Sequence, residues 1–140
     1  MIERVHSLIA TLRSRSAHRG RMEISCDETG FELRPFGRTD QTTKLNWQQI
    51  TEIIAYKRDC FTVDLICLAI ADPATVVEIN EEDAGWDPFI QAVATNLPGS
   101  VARDTWWTAV AQTPFATNQT IVYRKSRQPE ARVGEFPVIN

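Results

Sequence analysis

The chain has 140 residues, of which 43% are hydrophobic and 24% charged, and its formal net charge is −3. This is the composition of one ordinary globular domain, and it excludes a disordered or fibrous chain. The longest apolar run is the seven residues from Leu65 to Ala71, whereas a membrane span needs about 20. We therefore expect a single domain over residues 1–140 without a membrane span. The N-terminus has no continuous apolar segment, which favours a cytoplasmic location.

Charge is segregated along the chain. Residues 1–21 hold five arginines and one carboxylate, whereas residues 59–102, the acidic block, hold eight carboxylates and neither lysine nor arginine. Residues 124–132 are basic again. Two interpretations are open. Either solvated faces happen to segregate, or the acidic block attracts a basic partner through its long-range field.

The N-terminal third contains a helical pattern followed by a hairpin pattern. Apolar residues from Ile2 to Leu12 recur at helical spacing, which predicts an N-terminal helix and a basic connector that together occupy residues 1–21. Residues 22–26 and 31–34 alternate apolar and polar side chains around the turn 27–30, as in a β-hairpin. Residues 38–43 are polar and are predicted to form a loop.

Two further apolar stretches follow, and charged residues separate them. A helical turn at 47–50 is predicted to lead into a strand at about 52–57, and Lys57-Arg58-Asp59 is predicted to be an exposed turn. The next strand is apolar on both faces at one end, which is typical of a central, covered strand. We expect one common buried set from this strand, its neighbour and the following helix, namely Val63, Leu65, Cys67, Val77, Ile79 and Ile90.

The C-terminal part reads as helices and a last strand. A helix over 88–97 is predicted, with Asp87 as its N-cap and Pro88 as its first residue. A second helix is expected at 104–112, a strand near 121–123, and a loosely ordered tail at 126–140. The predicted fold class is therefore α+β over a core of residues 22–125. Its antiparallel sheet of about five to seven strands curls into a partial barrel, and the helices pack on it.

The order of these elements resembles a bacterial PH-like or GRAM-like domain over roughly residues 22–97. Gly30-Phe31, followed by Leu45-Asn46-Trp47-Gln48-Gln49-Ile50, carries the resemblance. The resemblance implies a PH-like curl of the sheet. The chain departs from the family's pattern in its N-terminal helix and in the extra helix and strand after residue 100. The whole chain, including Trp106-Trp107 and residues 116–120, is also similar to small uncharacterised bacterial proteins, which implies no activity.

Patterns that carry catalysis or bind metals are missing from the sequence. The two histidines, His6 and His18, lie in the basic N-terminal segment, and the three cysteines are widely spaced, as expected for small buried hydrophobes. No glycine-rich phosphate loop or Gly-x-Ser-x-Gly elbow occurs. Glu81-Glu82-Asp83 and Asp87 can be drawn as an acid–base pair or a metal site, but acidic residues before a helix also complement its dipole. We predict no enzyme activity, no cofactor and no metal.

The acidic block and the tryptophan pair are the candidates for a binding site. Asp64 and Glu78 are expected to point outward from neighbouring strands and to share one face. Trp106 and Trp107 are either one core residue and one at the core's edge, or an exposed aromatic anchor for a partner. The complete set of partner-binding candidates is Asp64, Glu78, Glu81, Glu82, Asp83, Asp87, Trp106 and Trp107.

The function predicted from these features is a non-catalytic protein-interaction module, such as an inhibitor or immunity-type protein, that engages a basic partner through an acidic face. Homo-oligomerisation stays open. The alternatives are a PH-like binder of a small or lipid ligand and an enzyme without a recognisable motif. The acidic turn at 27–30 speaks against phosphoinositide binding. Arginines without interleaved aromatics on an acidic protein make nucleic acid a disfavoured partner.

Overall fold

The computed structural model describes residues 21–38, 40–59, 64–112 and 119–126. Within these ranges the chain forms an α+β fold of two antiparallel sheets and two helices, so the predicted class is confirmed. The first sheet has the order β1-β2-β3 and the second the order β6-β5-β4-β7. The strands are β1 (Met22–Cys26), β2 (Gly30–Pro35), β3 (Thr43–Asn46), β4 (Glu52–Asp59), β5 (Asp64–Ala71), β6 (Val76–Asn80) and β7 (Thr120–Arg124).

A 3₁₀ turn at Trp47–Gln49 connects the sheets, and helices α1 (Trp86–Asn96) and α2 (Arg103–Ala111) lie between β6 and β7 in sequence. The second helix and the last strand therefore occur close to where the sequence predicts them. The predicted N-terminal helix and the C-terminal tail fall outside the described residues, apart from Ser126. Neither α1 nor α2 is long and apolar enough to cross a membrane.

The strands divide between two sheets, whereas the sequence predicted one curled sheet. An isolated parallel bridge between Glu23 and Ala84 joins the two parts. The Ile24 N–H donates to the Ala84 carbonyl at 2.8 Å, and the Ala84 N–H donates to the Met22 carbonyl at 3.0 Å. The contact is too short to make one continuous sheet, and no closed barrel forms from the described strands.

Gly85 allows this close approach and begins α1. Its φ of +90° is in the left-handed region, and a Cβ added there would lie 2.2 Å from the Ile24 carbonyl oxygen. The helix accordingly starts at Trp86 with Gly85 as N-cap and no side-chain cap. The prediction that Asp87 is the N-cap was wrong because the backbone reversal at Gly85 comes two residues earlier, and Asp87 lies in the first turn.

The main core lies on one face of the second sheet, under the helices. Ile66, Leu68 and Ile70 of β5 point into it, together with Ile79 and Ile90. Leu65 and Cys67 point to the opposite face and form a second buried cluster with, among others, Ile54, Tyr56, Ala69 and Ala71.

The predicted common core for Leu65, Cys67, Ile79 and Ile90 was therefore wrong. The strand is apolar on both faces, so alternation alone could not show which face meets the helices. Val77 is only partly buried against the main core, and Val63 lies outside the described residues.

The predicted turn at Lys57-Arg58-Asp59 is the end of a strand instead. β4 runs to Asp59, which pairs with Asp64 of β5. The Lys57 side chain is 5% exposed with its ammonium 3.5 Å from Asp64 Oδ2, and the Arg58 side chain is 12% exposed with Nη1 3.9 Å from Glu78 Oε1. Both cations can be largely buried on the strand because each lies beside a carboxylate. A hydropathy pattern does not show which carboxylate will be the neighbour.

A first prediction concerns the effect of Gly85 on stability. Gly85→Ala should lower the free energy of unfolding by at least about 3 kcal/mol, because the methyl group adds a collision to the strained φ. Gly99→Ala is the matched control, since Gly99 has φ +89° but nothing within 4 Å of an added Cβ. It should cost only about 1 to 2 kcal/mol. Urea unfolding of both variants measures the difference, and equal losses would contradict the close approach.

Candidate functional site

Asp83, one of the predicted partner-binding residues, is buried, and its carboxylate joins two parts of the backbone by hydrogen bonds. Its side chain accepts hydrogen bonds from the Met22 N–H at Oδ1 and from the Asn80 N–H at Oδ2, both at 2.9 Å. It therefore fastens the start of β1 to the end of β6, beside the bridge that joins the two sheets. A carboxylate used in this way and 4% exposed does not reach a partner.

Glu78 is also buried, although alternation predicted that it points to solvent. It pairs with Ala69 in the sheet register, faces the second cluster, and accepts a hydrogen bond from the Tyr56 hydroxyl. Burial, with the nearby Cys67 and Glu78, raises the pKa of the Tyr56 phenol far above its usual value, so the phenol keeps its proton and donates. The prediction was wrong because this face of the sheet is covered as well.

Asp64 and Glu78 do not share a face. Ala69 faces the same side as Glu78, its cross-strand partner, and Asp64 lies five residues before Ala69 on the same strand. An odd separation along a strand places two side chains on opposite faces. Asp64 is partly exposed beside Lys57. The single acidic face predicted from the sequence is therefore not formed by these two residues.

The other carboxylates of the acidic set lie around the turn that precedes α1. Glu81 Oε2 accepts the Ile66 N–H at 3.0 Å, which ties this turn to β5. The side chain of Glu82 is exposed, while its backbone carbonyl accepts from Arg21 Nε at 3.1 Å. Asp87 has a 73% exposed side chain and pairs with Arg103 at 3.0 Å. Glu82 and Asp87 are thus the predicted carboxylates that face solvent most openly.

The two tryptophans have separate environments. Trp106 is 2% exposed and belongs to the main core, whereas Trp107 is partly buried at its edge. This is the arrangement of one core residue and one edge residue. The Arg103 guanidinium lies 5.2 Å from the centre of the Trp107 ring and bonds to Asp87 on α1. We call Asp87, Arg103 and Trp107 the Trp107 rim.

Arg103 was missed in the sequence, although two signals point to it. It is the only lysine or arginine between residues 64 and 112. It also precedes Trp107 by four residues on a helix, a spacing that places two side chains next to each other. Reading both signals together predicts a cation on the tryptophan ring, but not the partner that Asp87 provides from another helix.

A pocket of about 220 Å³ lies beside the rim, between α1, α2 and the sheet. Its walls are mainly apolar, with polar groups from Gln91, Ser100 and Arg103. The apolar lining residues are Leu68, Ile90, Val93, Ala94, Val101, Trp106 and Val122. Ala94 is exposed on α1, so the pocket opens to solvent between the helices.

The described residues contain no group of three or more side chains suited to hold a metal ion. His6, His18 and Cys60 lie outside the described ranges. Cys26 is half-buried, and burial, with Asp27 nearby, raises the pKa of its thiol to about 11. A thiol with a raised pKa is mostly protonated near neutral pH and is a poor nucleophile.

Asp83 and Glu82 make a matched pair for a test of the acidic block. Asp83→Ala should lower the free energy of unfolding by about 3 kcal/mol, because it leaves two backbone N–H groups without their charged acceptor. Glu82→Ala should change it by less than about 0.5 kcal/mol, as expected at an exposed site. Urea unfolding gives both values, and a large loss for Glu82→Ala would show that its carboxylate is structural.

Cys26 provides a prediction on pH. Its thiolate fraction at pH 8 should be roughly 100-fold below that of a thiol with an unshifted pKa, so alkylation by iodoacetamide should be correspondingly slow. The rate should rise about tenfold for each pH unit below the pKa, because the thiolate fraction grows tenfold per unit there. The raised folded-state pKa extends this rise to about pH 11. Mass spectrometry of the tryptic peptide 22–38, in which Cys26 is the only cysteine, measures this rate. Fast labelling at pH 8 would contradict it.

No family model, no curated protein and no solved structure matches this chain. The PH-like resemblance therefore stays a prediction.

Proposed function

We propose that this protein is a non-catalytic protein-interaction module that contacts its partner through the Trp107 rim. The observation that carries the proposal is the arrangement of Trp107, whose partly exposed ring is covered by the Arg103 guanidinium, itself bonded to Asp87. Tryptophan and arginine are the residue types most enriched among the side chains that dominate binding energy. Here they stand together at the surface.

The rim is held in place before any partner arrives. A cation over an aromatic ring contributes about 0.5 to 1 kcal/mol at an exposed site, and the Asp87 pair links the two helices across their ends. Side chains already ordered in the free protein lose less entropy on binding than mobile ones do. This ordering supports a contact surface at the Trp107 rim.

The charges around the rim favour a basic partner. The cation of Arg103 is matched by Asp87. Glu82 before α1 is exposed with the Arg21 guanidinium beside it, and Asp104 on α2 adds a further exposed carboxylate. No other lysine or arginine occurs between residues 64 and 112. A local excess of carboxylates steers a basic protein toward this side and adds more to the rate of association than to affinity. An inhibitor or immunity-type protein is one class with this requirement.

We also propose that the two sheets are the two parts of a PH-like partial barrel. The parallel bridge at Glu23 and Ala84 supports this, because it brings an edge of the first sheet against the segment that follows β6. Residues of both sheets and of α1 contribute to one main core, among them Phe31, Ile70 and Phe89. In this arrangement the helices stand at one end of the partial barrel with the rim between them.

The proposal is tested with immobilised protein and an extract of the source organism. Wild-type protein and the variants Trp107→Ser and Phe36→Ser serve as three baits. Phe36 is the matched control, because it is 47% exposed and also carries an arginine over its ring, at 5.3 Å. We expect a basic protein that wild type and Phe36→Ser retain and that Trp107→Ser loses.

Salt dependence gives a second readout from the same baits. Retention should fall as salt rises, because screening shortens the Debye length from about 30 Å at 0.01 M to about 8 Å at 0.15 M. Far-ultraviolet circular dichroism of each bait controls for folding. Identical sets of retained proteins on all three folded baits would overturn the proposal.

A further inference from the structure

We infer that the chain's own residues 2–12 dock as an amphipathic helix on the face of the second sheet that lies opposite α1 and α2. This outer face carries the second buried cluster, namely Ile54, Tyr56, Leu65, Cys67, Ala69 and Ala71. The inference goes beyond the proposed function, because Trp107 packs against the main core on the other side of the sheet. It assigns a partner within the chain to a face that the Trp107 rim does not use.

Burial shows that a further layer covers the outer face. Tyr56 and Cys67 are 0% exposed, and Ile54 is 1% exposed. Side chains stand roughly perpendicular to a sheet, so neighbouring strands shield their sides but not their tips. A phenol that projects from a sheet and yet has no exposed surface therefore lies under other residues of the chain.

The described helices and the first sheet do not supply this layer. The buried residues of α1 and α2 all belong to the main core on the opposite face. Those of the first sheet, such as Phe31 and Leu45, belong to the main core as well. Of the residues that the structure describes, only those of β4, β5 and β6 contribute to the second cluster. The cover is therefore provided by residues outside the described ranges.

The N-terminal segment carries a pattern that fits the outer face. Its apolar residues at helical spacing, which we call the N-terminal stripe, are Ile2, Val5, Leu8, Ile9 and Leu12. At about 1.5 Å per residue the stripe is about 15 Å long. The row of side chains from Leu65 to Ala71 is about 20 Å long. An amphipathic helix of this length covers most of that row, as in the layered packing of helix on sheet.

The other segments outside the described ranges fit less well. Residues 60–63 and 113–118 are short connections between described elements. Residues 127–140 are long enough, but Pro129 and Pro137 interrupt any helical pattern there. The N-terminal stripe is therefore the occupant that the sequence favours.

The place where β1 begins lets the N-terminal stripe reach the outer face. Arg21 Nε donates to the Glu82 carbonyl, so the chain enters β1 beside the turn that follows β6. The Glu81 N–H in that turn donates to the Ile66 carbonyl near the start of β5. The connector of residues 13–20 spans up to about 26 Å when extended. This exceeds the roughly 10 Å that separates β6 from β4 across the sheet.

Docking at this place shields polar groups as well as apolar surface. The Tyr56 hydroxyl donates to Glu78, and Arg58 Nη1 lies 3.9 Å from the second oxygen of that carboxylate. These interactions are stronger where water is excluded. Cys67 belongs to the same cluster, so its thiol becomes accessible when the cover is displaced. The labelling of Cys67 thus reports on the contact.

NMR contacts in the full chain test the inference directly. In wild-type protein with labelled methyl groups, we expect nuclear Overhauser contacts from the methyl groups of Val5 and Ile9 to those of Ala69 and Ala71. Both alanines are buried on the outer face. The absence of these contacts, or contacts from residues 127–140 to the two alanines in their place, would overturn the inference.

A charge placed within the N-terminal stripe tests the same contact through Cys67. Ile9→Asp places a carboxylate in the stripe, whereas Ser7→Asp places it on the opposite side of the helix and is the matched control. Both are combined with Cys60→Ser, so that Cys67 is the only cysteine of the tryptic peptide 59–103. We expect Ile9→Asp to raise the rate of labelling by iodoacetamide at least about tenfold, and Ser7→Asp to change it less than about twofold.

Cys26 of the first sheet is the internal control for folding. An unchanged labelling rate at Cys26 shows that the rest of the fold persists in Ile9→Asp. A matching rise at Cys26 shows that the variant has unfolded, and the NMR contacts of the wild type then decide. Equal labelling of Cys67 in the folded Ile9→Asp and Ser7→Asp variants would overturn the inference. So would a rise in Phe136→Asp alone, which would assign the cover to residues 127–140.

Discussion

The structure depends on the close contact between β1 and the segment just before α1. Ile24 and Met22 exchange backbone hydrogen bonds with Ala84, and Asp83 adds its carboxylate to the same contact. The backbone can reverse at this point only because Gly85 has no Cβ to meet the Ile24 carbonyl. The direction of α1 follows from this junction, and so does the position of Asp87 opposite Arg103. A feature without recognisable chemistry thus positions the surface on which the proposed function rests.

Several carboxylates of the acidic block bond to other groups of the same chain and not to solvent. Asp83 bonds to backbone N–H groups, Glu78 accepts from Tyr56 beside Arg58, and Asp64 lies beside Lys57. A buried carboxylate is tolerated only with such partners, because its desolvation is costly. Tyr56 and Arg58 reach Glu78 from another strand, and Met22 reaches Asp83 from the other sheet. Among the candidate carboxylates of the acidic block, Glu82 and Asp87 remain exposed.

The Trp107 rim combines features that none of its members has alone. The ring of Trp107 offers area, Arg103 keeps that ring oriented, and Asp87 restrains Arg103 from the neighbouring helix. The pocket beside it adds an apolar concavity in the same place. The coincidence of an ordered aromatic side chain and a mostly apolar pocket is the physical basis for the contact surface that we propose.

The sequence by itself determined the α+β class, the first hairpin, the extended character of β5 and β6, and the approximate positions of both helices. These follow from local periodicity and from Gly and Pro positions, which act within a few residues. Only the tertiary structure decided which face of β5 meets the helices, because both faces are apolar. It also decided that Lys57 and Arg58 belong to a strand, since carboxylates from other positions neutralise them. The same holds for the rim: Trp107 was a candidate from its residue type, but its link to Asp87 through Arg103 arises only when the first turns of two helices come close in space.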